Sequence, residues 1–98
     1  MSNSNHYEKA PTEVKDYTLD WSRRLADYND TISTSAWAVV DATSTLEVET
    51  TANTTTTTTV WLSGGNDTYR EYRVDNTIVT TGGRTEVEPI WIKTGARQ

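Results

Sequence analysis

The sequence predicts an all-β domain, an immunoglobulin-like β-sandwich of about seven strands, and three observations carry that expectation. Threonine makes up about a fifth of the chain. With Val, Ile, Tyr and Trp it supplies the side chains that suit a pleated, half-buried surface. Apolar residues recur with period two in segment after segment, as expected of strands with one buried face. Turn residues interrupt those segments at short intervals, and no long amphipathic helix pattern occurs. A small closed β-barrel would leave similar signals and is the alternative architecture.

The 98 residues give room for one domain, and at this size the margin of stability is thin. Cysteine and phenylalanine are both absent, so neither disulfides nor thiolate metal sites supplement the core. The core must come from four tryptophans, five tyrosines and a modest set of aliphatic residues. Residues 1–13 are polar, carry Pro11 and lack periodicity, and read as a flexible or partner-ordered arm. The sandwich is expected over residues 14–94, with 95–98 as a tail.

In "DYTLDWS", Tyr17, Leu19 and Trp21 alternate with Asp16, Thr18 and Asp20, which predicts the first strand of the sandwich. "RRLADYND" reads as a polar loop with one helical turn, for which Ser22 is the expected N-cap. In "DTISTSAWAVV", Ile32 and Trp37 are out of phase, which implies a bulge or kink near Ser35. "DATS" reads as a turn, and "TLEVET" directs Leu46 and Val48 inward with Glu47 and Glu49 outward. That strand is expected to end near Thr51, with Ala52 and Asn53 as the next turn.

The threonine run at 54–59 resembles a low-complexity linker, but linkers use Gly, Ser and Pro. Threonine is β-branched and stiff at χ1, and the run leads into Val60, Trp61 and Leu62. It reads as a strand with Thr58, Val60 and Leu62 on the core face and Thr57, Thr59 and Trp61 on the other. "SGGND" ends it with two glycines. "YREYRVDNTIVTT" then places Tyr72, Val74, Ile78 and Thr80 on one side, and "TGGR" forms a tight hairpin turn. The last strand, "RTEVEPIWIK", ends with Ile90 and Ile92 inward. Pro89 marks an edge or a bulge, and the apparent phase change between Val87 and Ile90 favours the bulge. The core expected from these strands is Leu19, Trp21, Ile32, Trp37, Leu46, Val48, Val60, Leu62, Tyr72, Val74, Ile78, Ile90 and Ile92, with Trp37 at its centre.

A net charge of −5 argues against nucleic acid as a partner. No apolar run approaches the ~18 residues of a membrane span, and the amino terminus has no apolar core of the kind a secretory signal needs. The N-x-T sequons at Asn29, Asn53 and Asn66 are chance matches in a chain this rich in Asn and Thr. No nucleophile motif, P-loop or dinucleotide fingerprint occurs, and the single histidine, His6, lies in the polar arm. Asp16, Asp20, Asp27 and Asp30 could gather around Ca²⁺, but their spacing does not match an EF-hand and a solvated acidic rim accounts for them. No cofactor, metal site or enzymatic activity is expected. The candidate interface residues are Trp61 and Trp91, which should face outward, with Tyr7, Arg23, Arg24 and Arg84.

"DYTLDWSRRL", "DTISTSAWAV", "TTTVWLSGG" and "YRVDNTIVTTGGRTE…IWIK", in that order and spacing, resemble the fiber-tail adaptors of tailed bacteriophages. The resemblance covers roughly residues 16–93. The positions that carry it are Leu19, Asp20, Trp21, Asp30, Thr31, Ile32, Trp37, Val60, Trp61, Leu62, Ser63, Gly64, Gly65, Tyr72, Val74, Asn76, Ile78, Thr80, Gly83 and Arg84. It implies a virion structural protein with an Ig-like fold, made in the host cytoplasm. Such a protein would sit in the tail or head-tail region and attach tail fibres or neighbouring tail and connector proteins, in multiple copies arranged with the tail symmetry. Most of these positions read as fold determinants. The alternative reading is a carbohydrate- or cell-surface-binding module with Trp61 and Trp91 as a shared platform.

Overall fold

The computed structural model describes residues 6–10, 12–40, 45–65 and 71–94. The expected turn at 41–44, the residues after Gly65 up to Arg70 (Asn66 among them) and the tail at 95–98 lie outside the described residues. Seven strands, β1 (His6–Lys9), β2 (Lys15–Asp20), β3 (Ile32–Val39), β4 (Leu46–Asn53), β5 (Thr57–Gly64), β6 (Glu71–Thr80) and β7 (Thr85–Thr94), form two sheets, and a short helix α1 (Ser22–Ala26) follows β2. One sheet has the order β1-β7-β6-β3 and the other β2-β5-β4. Two open sheets packed face to face make a sandwich rather than the closed barrel. The pairing of strands 2, 5 and 4 against 7, 6 and 3 is that of an immunoglobulin-type domain.

The first strand departs from that scheme by pairing in parallel with the last, His6 opposite Trp91 and Lys9 opposite Thr94. The four-stranded sheet therefore takes up His6–Lys9 from the segment read as an arm. Three contacts tie β1 down. The Tyr7 ring lies 4.8 Å from that of Tyr17, and the Tyr17 hydroxyl donates to the Glu8 carbonyl oxygen. Lys9 is buried, its ammonium donating to the carbonyl oxygens of Ala10 and Gly64. Burial depresses the Lys9 pKa. Burial, with lesser contributions from Glu13 and Asp16, pushes Tyr17 up to about 12. Burial disfavours the charged ammonium in the first case and the phenolate in the second, while backbone carbonyls accept a hydrogen bond from each group.

The alternation in β2 holds: Tyr17, Leu19 and Trp21 are buried between outward Asp16, Thr18 and Asp20. Ser22 is the first helical residue rather than the cap. Trp21 occupies the cap position without a side-chain bond, and the Asp20 carboxylate accepts the Ser22 N–H at 2.9 Å. The helix closes in a Schellman arrangement: Asn29 adopts φ 53, its N–H reaches the Ala26 carbonyl, and the Asp30 N–H reaches that of Leu25. The predicted bulge in β3 falls between Ile32 and Thr34, two residues before its expected place.

The threonine run divides. β4 continues through Asn53, past its expected end at Thr51. The turn is therefore made by Thr54–Thr56 instead of Ala52 and Asn53, and β5 takes Thr57–Thr59. The Thr54 hydroxyl accepts the N–H groups of Thr56 and Thr57, giving the turn the local side-chain bonding that Ser and Thr supply. The turn also serves its neighbours, because the Thr55 and Thr56 carbonyls accept the N–H groups of Ile32 and Trp21. At the far end of β5, Gly64 and Gly65 have φ of 77 and 85. A Cβ on Gly64 would run into the Thr45 carbonyl oxygen, so the two glycines are a steric requirement.

Three expectations about the core need correction. Trp37 and Val48 are only partly buried, because each lies on an edge strand with no further strand to cover it. The Trp37 Nε1 is buried without a partner among the described residues. The centre is Trp21 instead, 3% exposed, whose Nε1 donates to the Thr58 hydroxyl at 3.2 Å and to Asn76 Oδ1 at 3.0 Å. Finally, β7 has no bulge at Pro89. Its register against β6 runs unbroken from Val79↔Thr85 to Glu71↔Lys93, and Val87 simply points outward. The inward positions before Ile90 are Glu86 and Glu88, which Arg24 from α1 neutralises at 3.0 and 2.8 Å. Among the described residues β1 pairs with β7 only from Trp91 onward, so Pro89, which has no N–H to give to a ladder, lies before that pairing. The remaining expected core residues are buried.

Candidate protein-interaction surface

The residues that carry the sequence resemblance meet inside the fold at two nodes. In the first, Trp21, Thr58 and Asn76 join the two sheets: the Thr58 hydroxyl donates to Asn76 Oδ1 at 2.6 Å, and Asn76 Nδ2 donates to Ser35 Oγ and the Ala36 carbonyl oxygen, both at 3.0 Å. Every polar atom of this buried group has a partner, the condition under which a buried network rigidifies a core. The second node is the β6–β7 hairpin. The Schellman end of α1 aims Asp30 at it. The carboxylate accepts from Thr31 N–H at 2.9 Å, the Thr81 hydroxyl at 2.8 Å, Gly82 N–H at 3.0 Å and an Arg84 guanidinium nitrogen at 3.1 Å. Hydrogen bonding by the Thr80 hydroxyl, then by Thr31, Thr81 and Gly82, holds the Asp30 carboxyl well below the usual range, against the opposing effect of its enclosure.

Of the four candidate interface residues other than the tryptophans, three are engaged within the chain. Arg24 pairs with Glu86 and Glu88 and lies 5.0 Å from the Trp21 ring centroid. Arg84 pairs with Asp30 and lies 4.1 Å over the Tyr28 ring. Tyr7 is half-buried against Tyr17. Arg23 is exposed on α1 and has no ion pair among the described residues.

The two tryptophans point outward from opposite sheets and share no surface, so a joint platform is excluded. Trp91 lies on the four-stranded sheet, half-covered by the stacked His6 ring at 6.1 Å and by Arg73 at 5.6 Å. The Arg73 charge beside it is answered locally by Asp75 at 2.8 Å, and His6 Nδ1 lies 3.3 Å from a Glu71 carboxylate oxygen. Trp61 lies on the three-stranded sheet and is 39% exposed. Its row reads Asp16, Trp61, Thr50. The next reads Thr18, Thr59, Ala52, with the two hydroxyls 2.9 Å apart. Glu47 lies opposite Ser63. The β4 bulge inserts Glu49 beside Thr50, where its carboxylate accepts the Ser63 hydroxyl.

Sequence reasoning missed the surroundings of Trp61 because they come from three separate strands. It left Asn76 out of the core although the residue sits midway between Val74 and Ile78 on the inward side. Among the described residues no three His, Asp or Glu side chains group as a metal site, and the four aspartates considered for Ca²⁺ do not gather. No helix is long and apolar enough to cross a membrane.

A search of curated proteins gives no match. A family model for the podophage GP4 fiber-tail adaptor protein gp77 matches residues 9–93, from the buried Lys9 of β1 to the penultimate residue of β7. With that match running from the last residue of β1 through β2–β7, the chain belongs to the podophage fiber-tail adaptor family, structural proteins of the phage tail.

Proposed function

We propose that the protein bridges two neighbouring components of the virion, a tail or connector protein on one side and a fibre or further tail protein on the other, by protein–protein contacts alone. The observation that carries this reading is the placement of Trp61 and Trp91 on opposite outer faces of one rigid sandwich. A link between two bodies needs two outward surfaces, and aromatic side chains are the common anchors of such surfaces. The motif side chains at the two nodes are consumed in holding the sandwich together, so the adaptor's contacts fall to the residues around those nodes. Copies repeated with the tail symmetry multiply a contact that is weak in one copy. The protein acts by binding, with no chemical step.

Particles assembled without this chain test the reading. They are expected to have tails that lack fibres and fail to adsorb, with adsorption restored when the protein is supplied. Fibre-bearing particles in its absence contradict the adaptor role. Deleting residues 1–13 is a poor substitute, because it strips β1 and the buried Lys9 from the sheet.

A further inference from the structure

Among the described residues, three aromatic rings carry a cation from the same chain. Arg24 lies by Trp21 at 5.0 Å, Arg73 by Trp91 at 5.6 Å, and Arg84 over Tyr28 at 4.1 Å. Trp61 differs from these three. It is the most exposed of the four tryptophans, and among the described residues no cation lies over it. The outer rows of its sheet hold Asp16, Asp20, Glu47 and Glu49 and no lysine, arginine or histidine. Residues directly opposite on paired strands are ~4.5–5.5 Å apart, so Asp16 and Thr50 flank the indole on either side. The β4 bulge brings Glu49 to the same edge. An indole beside carboxylates that no cation pairs among the described residues attracts a positive charge twice over, through the ring's quadrupole and through Coulomb attraction.

We infer that this face docks a cationic side chain, arginine or lysine, borne by the neighbouring tail or fibre protein, with Trp61 beneath it and Asp16, Glu47 and Glu49 around it. The inference rests on the adaptor reading and names the chemistry of one of its two contacts. A second copy of this chain is the poorer occupant: the net charge is −5, and the same face on a second copy would set carboxylates against carboxylates. The cations at Trp91 and at the two nodes are already held by partners within the chain.

The test uses the full-length chain supplied to particles that lack it, with incorporation measured by quantitative mass spectrometry of purified virions. Four proteins are compared: wild type, Trp61→Ala, Trp61→Tyr and the charge reversal Glu47→Lys with Glu49→Lys. Circular dichroism and thermal melting of each confirm the fold. Trp61→Ala and the charge reversal are expected to lower incorporation about tenfold or more, the size of a single strong anchor. Trp61→Tyr keeps an aromatic face and should retain most of it. Wild-type incorporation of both Trp61→Ala and the charge reversal overturns the inference and leaves the adaptor reading intact. Loss with Trp61→Ala but not with charge reversal overturns the cationic partner in favour of an apolar one. Absence of the wild-type chain from the virion sinks the adaptor reading itself.

Discussion

Both sides of β5 carry threonine, and the two sides do different things. On the inner side, Thr58 gives its hydroxyl to a closed network with Trp21 and Asn76, and Val60 and Leu62 are fully buried. On the outer side, Thr59 shares a hydroxyl contact with Thr18, and Trp61, 39% exposed, stands near carboxylates with no cation over it among the described residues. The threonine run thus makes the strand on both sides through its β-branched shape. What each hydroxyl or indole then does depends on the sheet's facing, which a one-residue step along the strand inverts. The inner side stabilises the fold; the outer side is available to a partner. Substitutions on the inner side should cost stability, and those on the outer side should cost assembly.

The largest inner-side effect is expected at Asn76, fully buried at the junction of both sheets. Asn76→Ala leaves the Thr58 hydroxyl, Ser35 and the Ala36 carbonyl without their partner and opens a cavity. It should cost about 3 kcal/mol in urea unfolding and lower Tm by about 10 °C or more. Asp30→Asn should follow, through loosening of the β6–β7 hairpin, and its effect carries a pH signature. The Asp30 pKa is lower folded than unfolded, so its stabilisation is fully present above the unfolded value, ~3.9, and is lost as pH falls toward the folded one. Wild type and variant should therefore differ in urea midpoint at pH 7, and the difference should shrink progressively as pH falls below about 4. A constant difference across that range contradicts the assignment.

Arg24→Ala should cost about 1 kcal/mol, since the guanidinium is partly exposed and its loss leaves Glu86 and Glu88 side by side. Raised salt should shrink that difference in the melting curve. The smallest effect is expected at Trp37. Its Nε1 is buried without a partner among the described residues, so Trp37→Phe removes a desolvated donor and should leave stability within about 0.5 kcal/mol of wild type.

Much of the sandwich was legible from local periodicity. Tyr17, Leu19 and Trp21, the β5 set of Thr58, Val60 and Leu62, and the β6 set from Tyr72 to Thr80 all bury the side their alternation predicts. Period alone does not say which strand ends a sheet, and for that reason Trp37 was expected at a centre that Trp21 occupies. The apparent bulge at Pro89 has a similar origin. Glu86 and Glu88 look like outward residues until Arg24, more than sixty positions away, is seen to neutralise them. The parallel pairing of β1 left no pattern in its four residues, because the partner strand is at the other end of the chain. The outward aim of Trp61 and Trp91 was readable from Leu62 and Ile92. That Trp91 carries an arginine, and Trp61 none among the described residues, was not, since Arg73 reaches Trp91 from the neighbouring strand.

Hydroxyl-radical oxidation of the four tryptophans, read by mass spectrometry in the free protein and in intact virions, tests the division between the two sides of β5 most directly. The account predicts that Trp61 oxidises fastest and Trp21 slowest in the free chain, and that Trp61 becomes strongly protected in the particle while Trp21 stays unchanged. Equal oxidation of Trp61 in both settings would contradict it.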